Sequence, residues 1–311
     1  MSAALEEVSG RLGRFWPLVI GGERVETDER LTSLDPSQKQ RVVGTVAVTG
    51  RAHVDAAVAS ARAALPAWVA LDGNRRAELL RRAAEVMRNR HFELAAWQVY
   101  ECGKGWREAA NDVCEAIDFC EYYAARAMQL QAVHGVDVPG EENRFEYIPR
   151  GVTAVIAPWN FPLAILTGMT AAALVTGNTV IMKPAGQSPV IAAQLMEIFG
   201  QLDLPPGVLN CLPGRGEVAG AALVEHPDVA LVAFTGSRAV GLAINARAAQ
   251  VSAGEGGCVK RVIAEMGGKN AIIVDADADV DEAVLGVVHS AFAYQGQKCS
   301  ACSRVIVLEA V

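Results

Sequence analysis

The sequence predicts an α/β protein built on a parallel sheet with helices on both faces, and two observations carry that prediction. From Gly151 onward short uninterrupted apolar runs alternate with helical stretches: Val152 to Ala157 then Leu163 to Val175, Thr179 to Met182 then Val190 to Phe199, Val208 to Leu212 then Glu217 to Val224, and Leu231 to Phe234 then Arg238 to Gln250. Strands covered on both sides read as continuous apolar runs, and strands joined through helices pair in parallel. Second, each run ends in glycine or polar residues: Pro158-Trp159-Asn160-Phe161-Pro162, Lys183-Pro184-Ala185-Gly186, Pro213-Gly214-Arg215-Gly216 and Thr235-Gly236-Ser237. Ligands of such sheets bind at the carboxyl ends of the strands, so a site is expected there.

The elements follow in order. Residues 1–50 mix short apolar runs with turns, such as Leu18-Val19-Ile20 before Gly21-Gly22, and predict two or three short strands. From His53 to about Met128 the spacing is helical, with breaks at Pro66 and Asp72-Gly73. The arginines at 75–76, 81–82, 88 and 90 read as a solvated helix face. Asp112 to Phe119 places acids on a helix whose other face is apolar. Phe161 to Met182 approaches membrane-span length, but Pro162, Gly168, Gly177 and Asn178 interrupt it, so it reads as a buried helix running into a strand. Beyond Lys260 come Val262 to Ala264, Ala271 to Val274, a helix from Val280 to about Tyr294, and a last strand from Arg304 to Leu308.

Composition narrows the function. A chain of 311 residues, 51% hydrophobic and 20% charged, buries a large core. A net charge of −7 argues against general affinity for nucleic acid or anionic membranes. The N-terminus lacks a cationic stretch, apolar core and cleavage site, so a cytoplasmic location is expected. Seven cysteines, an odd number, suggest reduced thiols rather than a disulfide framework. Cys299 and Cys302 form a C-x-x-C that reads either as a redox pair or as half a zinc site, but no second pair completes four ligands, so no metal is expected.

The chemistry centres on Gln295 to Arg304, where Cys299 follows a glycine turn and Lys298. A free thiol has a pKa near ~8.5, and a neighbouring cation or helix end raises its thiolate fraction. Cys299 is thus the candidate nucleophile, its alternative being a buried structural cysteine. Phe234-Thr235-Gly236-Ser237, followed by Gly241, is a glycine turn opening a helix, which offers N–H groups to a phosphate or simply makes a tight connection. Lys183 leaves a buried strand where it either meets ribose or phosphate or is only solvated. Glu265, after an apolar strand, is a candidate general base or a rim carboxylate paired with Lys269. Asn160, between Trp159 and Phe161, offers an amide donor to an oxyanion or forms a turn.

Taken in order, Pro158 to Pro162, Lys183-Pro184-Ala185, Phe234 to Ser237, Glu265-Met266-Gly267-Gly268-Lys269-Asn270 and Gly296 to Cys299 resemble the aldehyde dehydrogenase superfamily, over essentially the whole chain. Gln297 to Ala301, Asp112 to Phe119 and Glu265 to Asp275 are most like the L-glutamate γ-semialdehyde (1-pyrroline-5-carboxylate) dehydrogenase branch. The resemblance implies N-terminal strands over 1–50, a helical block with a Rossmann-type NAD-binding unit over 51–264, and the beginning of a second α/β catalytic domain over 265–311. It implies Cys299 as nucleophile, Asn160 and the Cys299 N–H as oxyanion donors, and Glu265 as the base that activates water. It places NAD against Trp159, Lys183, Gly214, Phe234, Thr235, Gly236, Ser237 and Gly267, and the aldehyde substrate against Glu115, Phe161, Lys298 and Ser300. Where many members carry a glutamate this chain has Gly186, which leaves NADP possible beside NAD. Family members are longer, and a full-length form is expected to be a homo-oligomer. The 311 residues alone are expected to be nearly inactive and prone to aggregate.

Overall fold

The computed structural model describes residues 1–130, 135–250 and 259–311. Its core is a seven-stranded sheet in the order β10-β9-β6-β7-β8-β2-β3. Five of these, β6 (Val152–Ile156), β7 (Thr179–Lys183), β8 (Leu209–Cys211), β9 (Val229–Gly236) and β10 (Arg261–Met266), run parallel, as the apolar runs predict. The sheet is mixed, because β2 (Leu18–Ile20) and β3 (Glu23–Val25) add an antiparallel ribbon beside β8. Strands this short carry no pattern that assigns them to a sheet. The N-terminal fifty residues also hold α1 (Ser2–Ser9) and the strands β1 (Arg14–Trp16), β4 (Arg30–Asp35) and β5 (Gln38–Ala47), which form a separate sheet.

Two apolar layers cover the main sheet. One is built from α3 (Gly73–Asn89), α4 (His91–Cys102), α5 (Trp106–Leu130), α6 (Ala164–Val175) and α7 (Pro189–Phe199). The other comes from α2 (Arg51–Ala70), α8 (Ala221–Glu225) and α9 (Arg238–Ala249). A π-helical turn, Gly216–Gly220, leads into α8. Gly168 lets α6 approach α5, since a Cβ there would lie 2.9 Å from the Phe119 ring. Among the described residues no single helix is long and apolar enough to cross a membrane.

Three local expectations change. Pro66 does not break α2, because Trp68 beyond it is buried and donates Nε1–H to Leu174 O at 3.1 Å, which holds the last turn in place. Arg76 is not solvated: it is half-buried and donates to the carbonyls of Trp68, Leu71 and Val175. Asp112 does not lie on a polar helix face but is fully buried.

Glu101, at the end of α4, caps a different helix. Its carboxylate accepts from Val190 N and Ile191 N, both at 2.7 Å, and from Ser33 Oγ at 2.8 Å. It therefore fills the donors that Pro189, at the first position of α7, leaves open. Burial raises its pKa from the usual 4.5 to about 7, against the three hydrogen bonds. A carboxyl that stays protonated in the fold but ionises in the unfolded chain stabilises fully below 4.5, and that contribution is lost as pH rises through about 7. The urea midpoint of wild type minus that of Glu101→Gln is therefore expected to fall between those two pH values; a flat difference contradicts the assignment.

The chain ends in β11 (Asn270–Val274), α10 (Val280–Phe292) and β12 (Cys302–Val307), with β11 and β12 paired in parallel. No residue of α10 is buried, and Leu285 and Phe292 are each 71% exposed.

Candidate active site

The parallel strands end level with one another. Ile156 is in register with Lys183 and with Phe234, and Phe234 with Ala264. The loops that follow therefore emerge on one edge and line a groove of about 1130 Å³. Trp159, Asn160, Lys183, Gly214, Phe234, Thr235, Gly236, Ser237, Gly267, Lys298 and Cys299 all line it.

At the dinucleotide-like end, Ser237 caps α9, its Oγ accepting from Val240 N at 3.3 Å and its carbonyl from Gly241 N at 2.9 Å. Phe234 is buried beneath, so close that a Cβ on Gly236 would lie 2.6 Å from its ring. Gly214 has φ +157°, and a Cβ there would meet Thr49 N at 3.1 Å. Lys183 is 5% exposed, yet no protein group among the described residues hydrogen-bonds its ammonium. Burial lowers its pKa from the ordinary lysine value, with Glu217 opposing. A buried ammonium without a protein partner in a groove suits an oxygen-rich ligand.

The reactive end is formed by a turn of unusual conformation. Tyr294 and Gln295 have φ of 51° and 54°, the only positive values among the described non-glycine residues, and Gly296 follows at 71°. Left-handed conformations in such residues cost about 1–3 kcal/mol each and persist only where packing imposes them. The turn delivers Cys299, exposed to solvent, into the groove. Asn270 Nδ2 donates to Cys299 O at 2.8 Å, while nothing among the described residues accepts from the Cys299 N–H. Asn160 Nδ2 donates to Gln297 O at 2.8 Å, which uses one of its two N–H bonds. One free carboxamide N–H and one free backbone N–H beside a thiol are the donor set for an oxyanion.

Glu265 is exposed and is not among the groove's lining residues. Along β10 the partly buried Val262, Ala264 and Met266 pack towards α9, so Glu265 faces the opposite side of the sheet, beside Thr235. That is the α6 side, where Thr235 Oγ1 reaches Met169 Sδ at 3.5 Å. Lys298 is paired rather than free: its Nζ lies 2.7 Å from Glu108 Oε2. Glu115 is half-buried, its carboxyl held up by burial and by Asp112, with Lys104 and Lys298 opposing. Phe161 stands edge-on to Tyr294 with ring centroids 6.3 Å apart. Ser300 is exposed and outside the groove's lining. Cys302 is buried and donates to Arg304 O, and both it and Cys299 are free thiols, so the C-x-x-C forms no bridge. Cys258 lies outside the described residues.

Sequence reasoning missed Lys104, Glu108 and Asn270 as parts of this site. The signal was the spacing of Glu108, Asp112 and Glu115, which puts three acids along one face of α5, with Lys104 just before the helix.

The sequence model of the aldehyde dehydrogenase family matches residues 24–311. The chain belongs to the aldehyde dehydrogenase family. A Geobacillus thermodenitrificans protein named 1-pyrroline-5-carboxylate dehydrogenase is 51% identical over 99% of this chain and 60% of its own length. A solved structure of a Thermus 1-pyrroline-5-carboxylate dehydrogenase with bound NAD superimposes with a TM-score of 0.96 at 50% identity, over 99% of this chain and 60% of that one. An NADP-dependent enzyme of E. coli gives a TM-score of 0.89 at 32% identity, over 97% and 62%. The chain thus spans about 60% of the length of the curated relatives it matches.

Proposed function

We propose that these residues bind NAD and oxidise L-glutamate γ-semialdehyde to L-glutamate through Cys299. The observation that carries the reading is the meeting of Cys299, its free N–H and the Asn160 carboxamide in the same groove as the α9 turn and Lys183. The names of the relatives support the substrate, and the bound NAD of one supports the cofactor. Lys183 and the Thr235-Gly236-Ser237 turn are the residues to hold a dinucleotide. Gly186 carries no charge, and its nearest neighbour for a Cβ is Leu31 Cδ2 at 3.7 Å, so nothing at that position repels a 2′-phosphate. NAD is the proposed preference and NADP a second ligand.

When bound, the nicotinamide supplies the acceptor for the aldehyde's hydride. The chain's own part begins with the Cys299 thiolate, which bonds to the aldehyde carbon while Asn160 Nδ2 and the Cys299 N–H receive the oxygen's negative charge. Oxidation leaves a thioester on Cys299. Glu265, on the α6 side of the sheet, takes a proton from the water that releases the acid. Lys183 and the Thr235-Gly236-Ser237 turn would hold the dinucleotide in the groove that Cys299 also lines, while Glu265 faces the α6 side of the sheet.

The test uses the 311-residue chain and a chimera that joins it to the remaining segment of the G. thermodenitrificans relative. NADH formation from the semialdehyde is expected in the chimera and only in traces in the shorter chain. A chimera that folds and binds NAD but oxidises no semialdehyde overturns the substrate assignment. In the same chimera Glu265→Gln is expected to slow turnover by about 10²–10⁴-fold while a first burst of NADH persists. Loss of the burst would move Glu265 to a step before the thioester.

A further inference from the structure

We propose that Lys104 is a positioning residue, whose buried ammonium fastens the Asn160 loop to the Tyr294–Cys299 turn and so sets the carboxamide against the sulfur. The inference rests on the reading of Asn160 and Cys299 given above.

Lys104 is 2% exposed and sits in the connection between α4 and α5. Its Nζ donates to Asp112 Oδ2 and to Asn160 O, both at 3.0 Å. The same nitrogen lies 4.3 Å from the Phe161 ring centroid and 4.9 Å from that of Tyr294. A lysine buried this deeply needs a carboxylate, and Asp112 supplies it at 0% exposure. One carboxylate would be enough for that purpose. The remaining contacts all go to the two loops that carry the candidate chemistry.

Each loop is held twice. The first bears Trp159, Asn160 and Phe161, and two consecutive carbonyls there receive donors from the end of α4 and the connection after it: Cys102 Sγ reaches Trp159 O at 3.6 Å and Lys104 reaches Asn160 O. The second begins with left-handed Tyr294, 4% exposed, whose ring faces the ammonium. Cation–ring attraction is strongest where water is excluded, as it is here. The Asn160 side chain then closes the circuit through Gln297 O, two residues before Cys299. Without the ammonium, Phe161 and Tyr294 retain only their edge contact, and the strained turn loses the group that draws its first residue inward.

Lys104→Met alone leaves Asp112 buried and unpaired, so the main variant is Lys104→Met with Asp112→Asn. An asparagine oxygen still accepts from Ala164 N, which Asp112 Oδ1 does at 3.0 Å. Amide hydrogen exchange is followed in peptides covering 158–162 and 294–300, with α7 as reference. Exchange in both loops is expected to rise roughly tenfold while α7 is unchanged. Iodoacetamide labelling is followed at Cys299 against Cys114, an exposed thiol on the outer face of α5. The ratio of the two rates is expected to change by about threefold or more, because only Cys299 depends on the turn. In the chimera kcat is expected to fall about 10²-fold with the NAD KM unchanged.

Loop exchange no faster than that of α7, or an unchanged kcat, in a folded variant overturns the proposal. If the double variant does not fold, Phe161→Leu removes one wall and keeps the ion pair, and the same two loops must exchange faster. Exchange and labelling need neither NAD nor turnover. A chimera without semialdehyde oxidation therefore counts against the proposed function and leaves the clamp to be judged on the loops.

Discussion

Cys299→Ala is expected to lower semialdehyde oxidation in the chimera by about 10⁴-fold or more, the scale of losing a covalent nucleophile. The reason is chemical rather than structural. Cys299 is exposed, its Sγ makes no hydrogen bond among the described residues, and its carbonyl contact to Asn270 belongs to the backbone and survives the change. The fold and the groove should persist, so the proposed NAD binding, measured by fluorescence titration, is expected to stay within about twofold of wild type, as for a surface change. A variant that keeps a tenth of the activity would show that another group attacks the aldehyde. Cys302 is not that group, because it is buried at the start of β12 with its thiol turned to Arg304 O.

Asp112→Ala is expected to destabilise the chain by about 3–5 kcal/mol, measured as a shift of the urea midpoint. Both partners of the Lys104–Asp112 pair have fully buried side chains, and removing one leaves the other charge without compensation. Asp112 also accepts from Ala164 N at the start of α6, so Asp112→Asn, which keeps an oxygen there, is expected to cost less than alanine. Equal losses for the two variants would mean that the ion pair alone carries the effect. Loss of less than about 1 kcal/mol in Asp112→Ala would mean that the buried pair contributes little, which contradicts a shared role for the two residues.

Much of this was legible in the sequence. The strands from Gly151 onward stand out because a doubly covered sheet demands unbroken apolar runs, and the residues after them predict the groove because parallel strands present their ends together. Other features were not readable. Leu18 to Ile20 was expected as a short strand, but the place of the ribbon β2–β3 in the main sheet was not, because only contact with β8 puts it there. Asp112 has the composition of a surface residue, and its burial is decided by Lys104, eight positions away, on a loop that sequence patterns treat as punctuation. The left-handed turn at Tyr294 and Gln295 is invisible for the opposite reason: neither residue type favours that conformation, and tertiary packing imposes it. Glu265 stands out in the sequence as an acid closing an apolar run, and the structure places it within β10. Which face of the sheet it occupies depends on strand phase, which the alternating burial along β10 reveals.

Under the proposed function, the α8 and α9 side of the sheet and the side that Glu265 faces have separate tasks, which bears on inhibition. A molecule confined to the α8 and α9 side leaves uncovered the side of the sheet that Glu265 faces. Two blockers of different chemistry can then sit on the protein at once, so that their combined effect is the product of the separate ones and raising the concentration of either does not displace the other.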